Sequence, residues 1–495
     1  MTTRAIIEAQ SGRLIRLAFL VGALYFVSLT IVDADLWGHV LFGRDIVTQG
    51  ALHTVDPYSF TSDRAWINHE WLAEVLLYLA FAAGGSLGIV ALKTGLVTGV
   101  LVLMLRALKR AALEPIHHDA LIAIAIVVMY SRIHFARPQV FSLLLFAFLL
   151  HSLISADRGN RRWLLLVPIN FALWANLHGG FIVGLGVLCL WLVVRFFQVG
   201  GTKSRAALIL LGLLSLGATL LNPYGFGLWQ FLWSTVGLSR DIADWRPIFS
   251  PGPLMWAPFM TAAGICVFMM VKAGARLNWA YKLIVAMLML GAMRVSRLDA
   301  FFGIAMVMLV GPALSRSRSS VRPAADAPAA SAFRYRPVFL AVATVIVLTG
   351  VSYGIKSGRC IEVFGAPESA TIEFFKTHAA RSRVLTFFNW GEYAIWHLGP
   401  DVLVSMDGRR ETIYSEDLFG AHSRFYHGQP DSTALVTRLA PDFVWLPAGL
   451  AVVETLVKEG WYPVFRGPVS TILGKNPGML FEDQRSDPAR CFPES

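Results

Sequence analysis

Charge is what this sequence is short of. Asp, Glu, Lys and Arg together make up 15% of its 495 residues, where a soluble globular chain carries nearer a quarter. That deficit excludes an ordinary soluble domain. No Gly-rich loop ending in Lys-Ser or Lys-Thr is present, so no P-loop nucleotide site is expected. Nothing reads as a serine-hydrolase elbow, a strand turning sharply into a helix at its serine. No unit repeats every 20 to 50 residues, which excludes a solenoid. Cysteine is scarce, at four residues, and no tight His or Cys spacing points to zinc.

Apolar residues are abundant, at 56%. They gather in runs of more than about eighteen nearly uncharged residues, long enough to cross a hydrocarbon layer of about 30 Å. Leu121 to Met129 with its flanks, Leu164 to Leu177 and Leu208 to Leu221 are examples. The net charge of +11 does not call for a nucleic-acid partner, because basic cytoplasmic loops against anionic membrane lipids account for it. The N-terminal stretch Met1 to Arg16 is basic at its end. The apolar run Leu17 to Val32 follows and leads into Asp33-Ala34-Asp35 without a small-residue cleavage site, so it reads as an uncleaved anchor.

Loop charge sets the orientation. Arg106, Lys109 and Arg110, then Arg158 to Arg162, Lys203 to Arg205, Lys272 to Arg276 and Arg316 to Arg336 are basic and resist translocation. Placing all of them inside requires spans near 17–34, 87–106, 118–131, 139–156, 163–177, 180–198, 207–221, 256–273, 279–293, 299–314 and 337–354. The expected fold is therefore a polytopic α-helical membrane protein with about 11 transmembrane helices. Its N-terminus is cytoplasmic. Residues 1–354 form the membrane domain, with a first outer loop at 33–86 and a Ser-, Pro- and Ala-rich cytoplasmic linker at 315–336. The run Trp71 to Ala83 is too short to span and reads as an interfacial helix.

After Tyr353 charge rises and turn residues recur. Val384 to Phe388, Val402 to Met406 and Phe443 to Leu446 read as strands, and Pro367 to Ala379 and Thr433 to Leu439 as helices. Residues 355–495 are thus expected to be an extracytoplasmic α/β domain. Cys360 and Cys491 bracket it, and an oxidising compartment permits a disulfide there. Closing so long a loop stabilises by roughly 4 to 5 kcal/mol in the chain-entropy account.

Polar residues of mixed kind collect at the outer ends of the spans. They are Asp33, Asp35, His39, Arg44, Asp56, Asn68, His69 and Glu70, then Arg132, His134 and Arg137. Asn176, His178, Asn222, Tyr224, Arg294, Arg297 and Asp299 complete the set. Ionisable groups at membrane depth are costly, so they pair or line a wet cavity. Arginines suit a phosphate through forked hydrogen bonds, and a carboxylate can take a proton from an attacking hydroxyl. In the distal domain Asn389, Trp390, Glu392, Tyr393, Asp407, Arg409, Arg410 and Glu411 are candidates, with Met406 to Arg410 read as a strand end and turn.

The first outer loop carries an Asp-x-Asp, Asp33-Ala34-Asp35, directly at the end of the first span. Trp37, His39 and Arg44 follow, then the turn Asp56-Pro57-Tyr58, and His69-Glu70 at the start of the interfacial helix. This layout resembles the GT-C superfamily of integral membrane glycosyltransferases. ARPQVFSLLL from Ala136, WANLHGGF from Trp174 and RVSRLDAFFG from Arg294 are softer matches. The stretch from Asn389 to Asp417 resembles the distal domain of bacterial proteins with the same layout.

The resemblance implies a sugar donor linked to polyprenyl phosphate and transfer on the outer face of a bacterial inner membrane. The acceptor would be a glycan, a lipid or a protein. Asp35 is then the expected base. Trp37 and Arg44 follow it at the spacing of the superfamily's catalytic Asp, and Asp33 is the alternative base or an acceptor- or metal-binding group. Arg294 and Arg297 are the first candidates for the phosphate clamp, with Arg132 and Arg137 behind them. Trp37, His39, Arg44, Asp56, His69, Glu70, Asn176, His178, Tyr224, Asp407 and Arg409 are the expected substrate-binding residues. No cofactor is firmly implied. Two Asp and a Glu offer hard oxygens to a divalent cation such as Mg or Mn.

Two departures bear on the substrate. The distal domain lacks the aromatic-aromatic-Asp signature of oligosaccharyltransferases, and Ala34 separates the acids that the protein mannosyltransferase-like branch keeps adjacent. Protein N-glycosylation is therefore not expected. A flippase or transporter for a lipid-linked sugar is the competing class, but no inverted halves with broken helices are evident. A polymer ligase or polymerase, and a noncatalytic component of a polysaccharide assembly system, are the others.

Overall fold

The computed structural model describes residues 3–109, 115–236, 245–250, 252–314, 360–478 and 490–493. The linker expected at 315–336, the last span at 337–354 and the domain boundary between 354 and 355 lie outside the described residues. The chain divides into two compact units.

The first unit draws on residues 1–29, 90–225 and 239–356. Its elements are helical: α1 (Thr3–Ser28), then the second part of a long helix that ends at Lys109, Pro115–Ile133, Gln139–Asp157 and Val167–Leu177. Phe181–Gln198, Thr202–Ala218, Pro253–Ala273, Trp279–Arg294 and Asp299–Ala305 follow. Each overlaps an apolar run read from the sequence. Among the described residues five helices are long and apolar enough to cross a membrane, at 71–109, 139–157, 181–198, 256–276 and 296–314. Such helices are apolar all round, as expected of buried or membrane-embedded helices. Gln139–Asp157 shows how one forms: it starts after Pro138 and contains neither Gly nor Pro, so nothing interrupts its hydrogen bonds. The buried Lys93 closes the end of α1, donating from Nζ to the carbonyls of Val27 at 2.8 Å and Leu29 at 2.6 Å. Carbonyls left open at a helix end are thereby satisfied by a cation.

The second unit joins residues 30–89, 226–238 and 357–495. The first outer loop, which the sequence placed with the membrane domain, belongs here instead. The reason is backbone pairing. Val32 N–H donates to Glu362 O at 2.9 Å, Phe60 N–H to Val404 O at 3.1 Å, and Asp63 N–H to Ile413 O at 3.1 Å. The loop lends its main chain to elements distant in sequence, as no local pattern reports.

Those elements are strands β1 (Ile361–Glu362), β2 (Arg383–Thr386), β3 (Leu403–Val404), β4 (Phe443–Pro447), β5 (Tyr462–Arg466), β6 (Ser470–Gly474) and β7 (Cys491–Phe492). A five-stranded sheet runs in the order β3-β2-β4-β6-β5, parallel from β3 to β4 and antiparallel from β4 to β5. Leu385, Val444, Leu446, Phe425, Leu456 and Leu473 form its core. The helices Ser369–His378 and Ala434–Leu439 and strands β2, β3 and β4 fall where the sequence placed them, while the β5–β6 hairpin was not foreseen. Strands β1 and β7 pair antiparallel, and Cys360 is bonded to Cys491 beside them.

Two elements of this unit position the site. Helix α2 spans Leu36–Gln49. The helix Trp71–Lys109 begins in this unit and is broken at Gly84 and Gly85. Gly85 has φ 56° and ψ −142°, a conformation that only glycine adopts without strain. The break separates the short run 71–83 from the span read at 87–106.

Candidate active site

Helix α2 begins immediately after the Asp-x-Asp. Leu36 N–H donates to Asp33 O and His39 N–H to Asp35 O, each at 3.0 Å. Asp35 is therefore the N-cap of α2, where the helix dipole favours negative charge. Asp33 is buried and Asp35 half-buried.

A second carboxyl meets it. Glu392 lies on the helix Gly391–Leu398 and is 3% exposed. Two glycines let these groups converge. A Cβ at Gly38 would overlap Glu392 Oε2. One at Gly408 would overlap Asp35 Oδ1 and stand 2.9 Å from Glu392 Oε1. Burial, then the charges of Asp35 and Asp407, push the Glu392 carboxyl well above the usual carboxylate range. Its Oε2 has no hydrogen-bond partner among the described residues. Of the two, Glu392 is the carboxyl its surroundings push toward the protonated form.

His39 stands one turn along α2. Its Nδ1 is 3.4 Å from Glu74 Oε1, and Asn68 Nδ2 donates to Glu74 Oε2 at 2.6 Å. Burial pushes its pKa down, but the bond to Glu74 and the charges of Glu70, Glu74 and Asp35 outweigh it and hold the ring at about 9. His39 is a cation near neutrality. His69 packs against Phe231 and lies 3.7 Å from Glu70. Arg44 is exposed, paired with Asp45 at 3.2 Å and set over Trp396.

Asp56, Asp407 and Arg409, which the sequence offered as substrate-binding residues, are spent on one another. Arg409 donates from Nη1 to Asp56 Oδ1 and from Nη2 to Asp407 Oδ2, each at 2.7 Å, and from Nε to Asp407 Oδ1 at 2.9 Å. Tyr414 adds a bond to Asp407 at 2.8 Å. The rings of Phe42, Tyr58 and Trp66 surround the guanidinium. With side-chain exposures of 0%, 0% and 6%, the triad offers no face to a ligand. Trp37 is likewise buried, edge-on to Tyr393 at 5.2 Å.

In the first unit the polar groups form two further clusters. Arg132, a phosphate candidate, is buried and bonded to Asp299 Oδ1 at 3.2 Å and Ser296 Oγ at 3.3 Å. Its charge is already matched, so it is a helix-to-helix tie. Arg297 Nη2 lies 3.3 Å from His178 Nε2. His178 is oriented from behind. The Gly180 nitrogen lies 2.9 Å from its Nδ1, Ser142 Oγ stands 2.8 Å from the same atom, and Trp174 Nε1 donates to Ser142 Oγ at 2.6 Å. A guanidinium only donates, so in its contact with Arg297 the Nε2 of His178 is the acceptor. Arg137 is set over Phe135, and Gln139, two residues on, donates to Arg297 O at 3.4 Å. Arg294 is exposed at the end of its helix. Asn176 ties Ala172 O to Leu221 O at 2.8 Å each, and Tyr224 N–H bonds Asn222.

Sequence reasoning missed Glu74, Ser142 and Trp174 as parts of these clusters, and it named Glu392 only among the distal-domain candidates, for acceptor docking. Glu74 lies one helical turn beyond Glu70, a signal that was legible. Among the described residues no three His, Cys, Asp or Glu side chains converge as metal ligands.

No protein-family model matches the sequence, and no curated protein does. Solved structures do. The chain is similar to the oligosaccharyltransferase AglB from Archaeoglobus fulgidus, solved with an inhibitory peptide and a dolichol phosphate. The TM-score is 0.55 at 10% identity over 87% of this chain and 69% of that one. It is similar to ArnT from Cupriavidus metallidurans bound to undecaprenyl phosphate, with TM-score 0.57 and 14% identity over 97% of this chain and 100% of that one. The arabinofuranosyltransferase AftD from mycobacteria matches at TM-score 0.53 and 14% identity, over 94% of this chain and 41% of that one. Two of the three were solved with a lipid phosphate, dolichol phosphate in AglB and undecaprenyl phosphate in ArnT. At such identity the likeness shows the fold alone, and that fold agrees with the resemblance read from the first outer loop.

Proposed function

We propose that this GT-C-fold chain is a glycosyltransferase of the bacterial inner membrane. It moves a sugar from a polyprenyl-phosphate donor to an acceptor on the outer face, with Asp35 as general base. About 11 spans place the N-terminus inside and the distal domain outside. The observation that carries the reading is the position of Asp35: half-buried, at the N-terminus of α2, with the buried Glu392 carboxyl converging on it at Gly408.

A lipid phosphate leaves without protonation, so the chemistry needs one proton acceptor. Asp35 takes the proton from the acceptor hydroxyl as its oxygen bonds to the anomeric carbon and the phosphate departs with the electron pair. A single displacement inverts the anomeric centre. Glu392, protonated, withholds negative charge from its surroundings and leaves Asp35 the one carboxylate of the pair. His39, a cation one turn away, steadies that charge.

Arg297 and His178 suit the donor phosphate. An arginine fork matches the oxygens of a phosphate, and His178, 3.3 Å from Arg297 Nη2, orients that guanidinium. Arg137 and Arg294 are outlying contributors, while Arg132 is held by Asp299. No step requires a metal, and a hard divalent ion remains a separate question that EDTA treatment of the purified enzyme answers. The test is transfer of label from polyprenyl-phosphate sugars by the parent protein and by Asp35→Asn. Unchanged turnover in the variant sinks the assignment of the base.

A further inference from the structure

The first unit holds a cavity of about 530 Å³ among the helices Gln139–Asp157, Val167–Leu177, Phe181–Gln198 and Thr202–Ala218. That is a volume suited to one small ligand or one lipid segment. None of the residues given a catalytic or donor-binding role lines it. Its polar end is formed by Asp157, Arg161, Arg195 and Ser204. Asp157 is saturated: it accepts from Arg195 Nε at 2.8 Å, Trp191 Nε1 at 3.2 Å and Tyr281 Oη at 2.7 Å. Asp157 and Arg195 therefore cancel, and the exposed Arg161 sets the sign of the mouth. Arg162, Lys203 and Arg205, exposed on the flanking loops, reinforce it.

The other walls are apolar, with Leu164, Leu208, Leu211 and Leu214 among them. The leucines at 165, 210 and 214 are 76%, 55% and 53% exposed. Exposed leucines suit acyl chains, and here they stand beside a cationic mouth. A neutral lipid would use the leucine wall and not Arg161. A free anion would use Arg161 and not the wall.

We infer that this groove is a binding site for one anionic phospholipid, its phosphate at Arg161 and Ser204 and one acyl chain along Leu208, Leu211 and Leu214. Charge at the mouth provides the selectivity, since each basic residue near a membrane surface strengthens attraction to an acidic headgroup several-fold. The site is independent of the proposed reaction.

The experiment is native mass spectrometry of the full-length protein in a neutral detergent, titrated with phosphatidylglycerol and, separately, phosphatidylcholine. The expected result is a single retained phosphatidylglycerol. Its affinity should fall about tenfold in Arg161→Glu and be lost in Ala207→Trp, whose indole fills the groove, with phosphatidylcholine weak throughout. Both variants should elute and melt as the parent does. If either misfolds, Arg161→Gln and Leu208→Phe provide the same comparison. Equal retention of the two lipids, or phosphatidylglycerol binding untouched by both substitutions, overturns the proposal. Displacement of the lipid by millimolar inorganic phosphate does so too, because the site would then hold a soluble anion.

Discussion

Removing the guanidinium of Arg409 should unfold the second unit before it alters any ligand. In Arg409→Ala, Asp56 and Asp407 lose the donors at 2.7 Å that hold each of them, and both are fully buried. Breaking a buried ion pair by deleting one partner costs roughly 3–5 kcal/mol, mostly for the charge left behind. Here two carboxylates are left behind. The rings of Trp66 and Phe42, 4.6 and 4.7 Å from the guanidinium carbon, lose a cation worth about 2 kcal/mol when desolvated. These terms are not additive, so the expected loss is about 3–5 kcal/mol, a large share of a domain's stability. Arg409→Lys should recover little, because an ammonium cannot make the fork to Asp407. The assay is thermal unfolding in detergent, followed by tryptophan fluorescence, beside Arg44→Ala as an exposed control. A variant that melts as the parent does and loses only substrate affinity would show that Arg409 faces a ligand, and the closed triad would be wrong.

Three other outcomes follow from the same geometry. The folded pKa of His39 is raised from 6.5 to about 9, so its contribution is fully present below pH 6.5 and is lost as pH rises through 9. That contribution is about 3 kcal/mol, and melting between pH 6 and 10 should fall less steeply in His39→Gln; parallel curves would refute it. Lys93→Met strips the donor from the Val27 and Leu29 carbonyls and should cost about 1–3 kcal/mol, read from the same unfolding assay; an unchanged midpoint counts against the cap. Glu392→Gln copies a protonated carboxyl and should keep turnover within about threefold of the parent, whereas a loss like that of Asp35→Asn would mean Glu392 works as an ion.

Much of the helical architecture was legible because hydrocarbon demands long uncharged runs, and Gln139–Asp157 or Phe181–Gln198 leave little else to infer. The break at Gly84-Gly85 was also written locally. What the sequence hid was pairing at a distance. The first outer loop looks like a linker between spans, yet its backbone bonds Val404, Ile413 and Glu362. The same distance concealed the partner of Asp35: Glu392 is one acid among several in a polar stretch until Gly38 and Gly408 let it approach. Asp407 and Arg409 were likewise named without their partners. Charged residues in a turn suggest a binding surface, but an arginine flanked by two buried acids and three aromatic rings is a closed structural unit. The β5–β6 hairpin escaped notice because Pro463 and Gly467 interrupt its alternation.

The most direct measurement is a transfer assay on purified protein with a panel of polyprenyl-phosphate sugars, run beside Asp35→Asn. The account predicts label reaching an acceptor, or released to water, with the parent protein and not with the folded variant. Binding of the donor by both proteins with turnover in neither, across glycan, lipid and protein acceptors, would contradict it and point to a carrier or an assembly component.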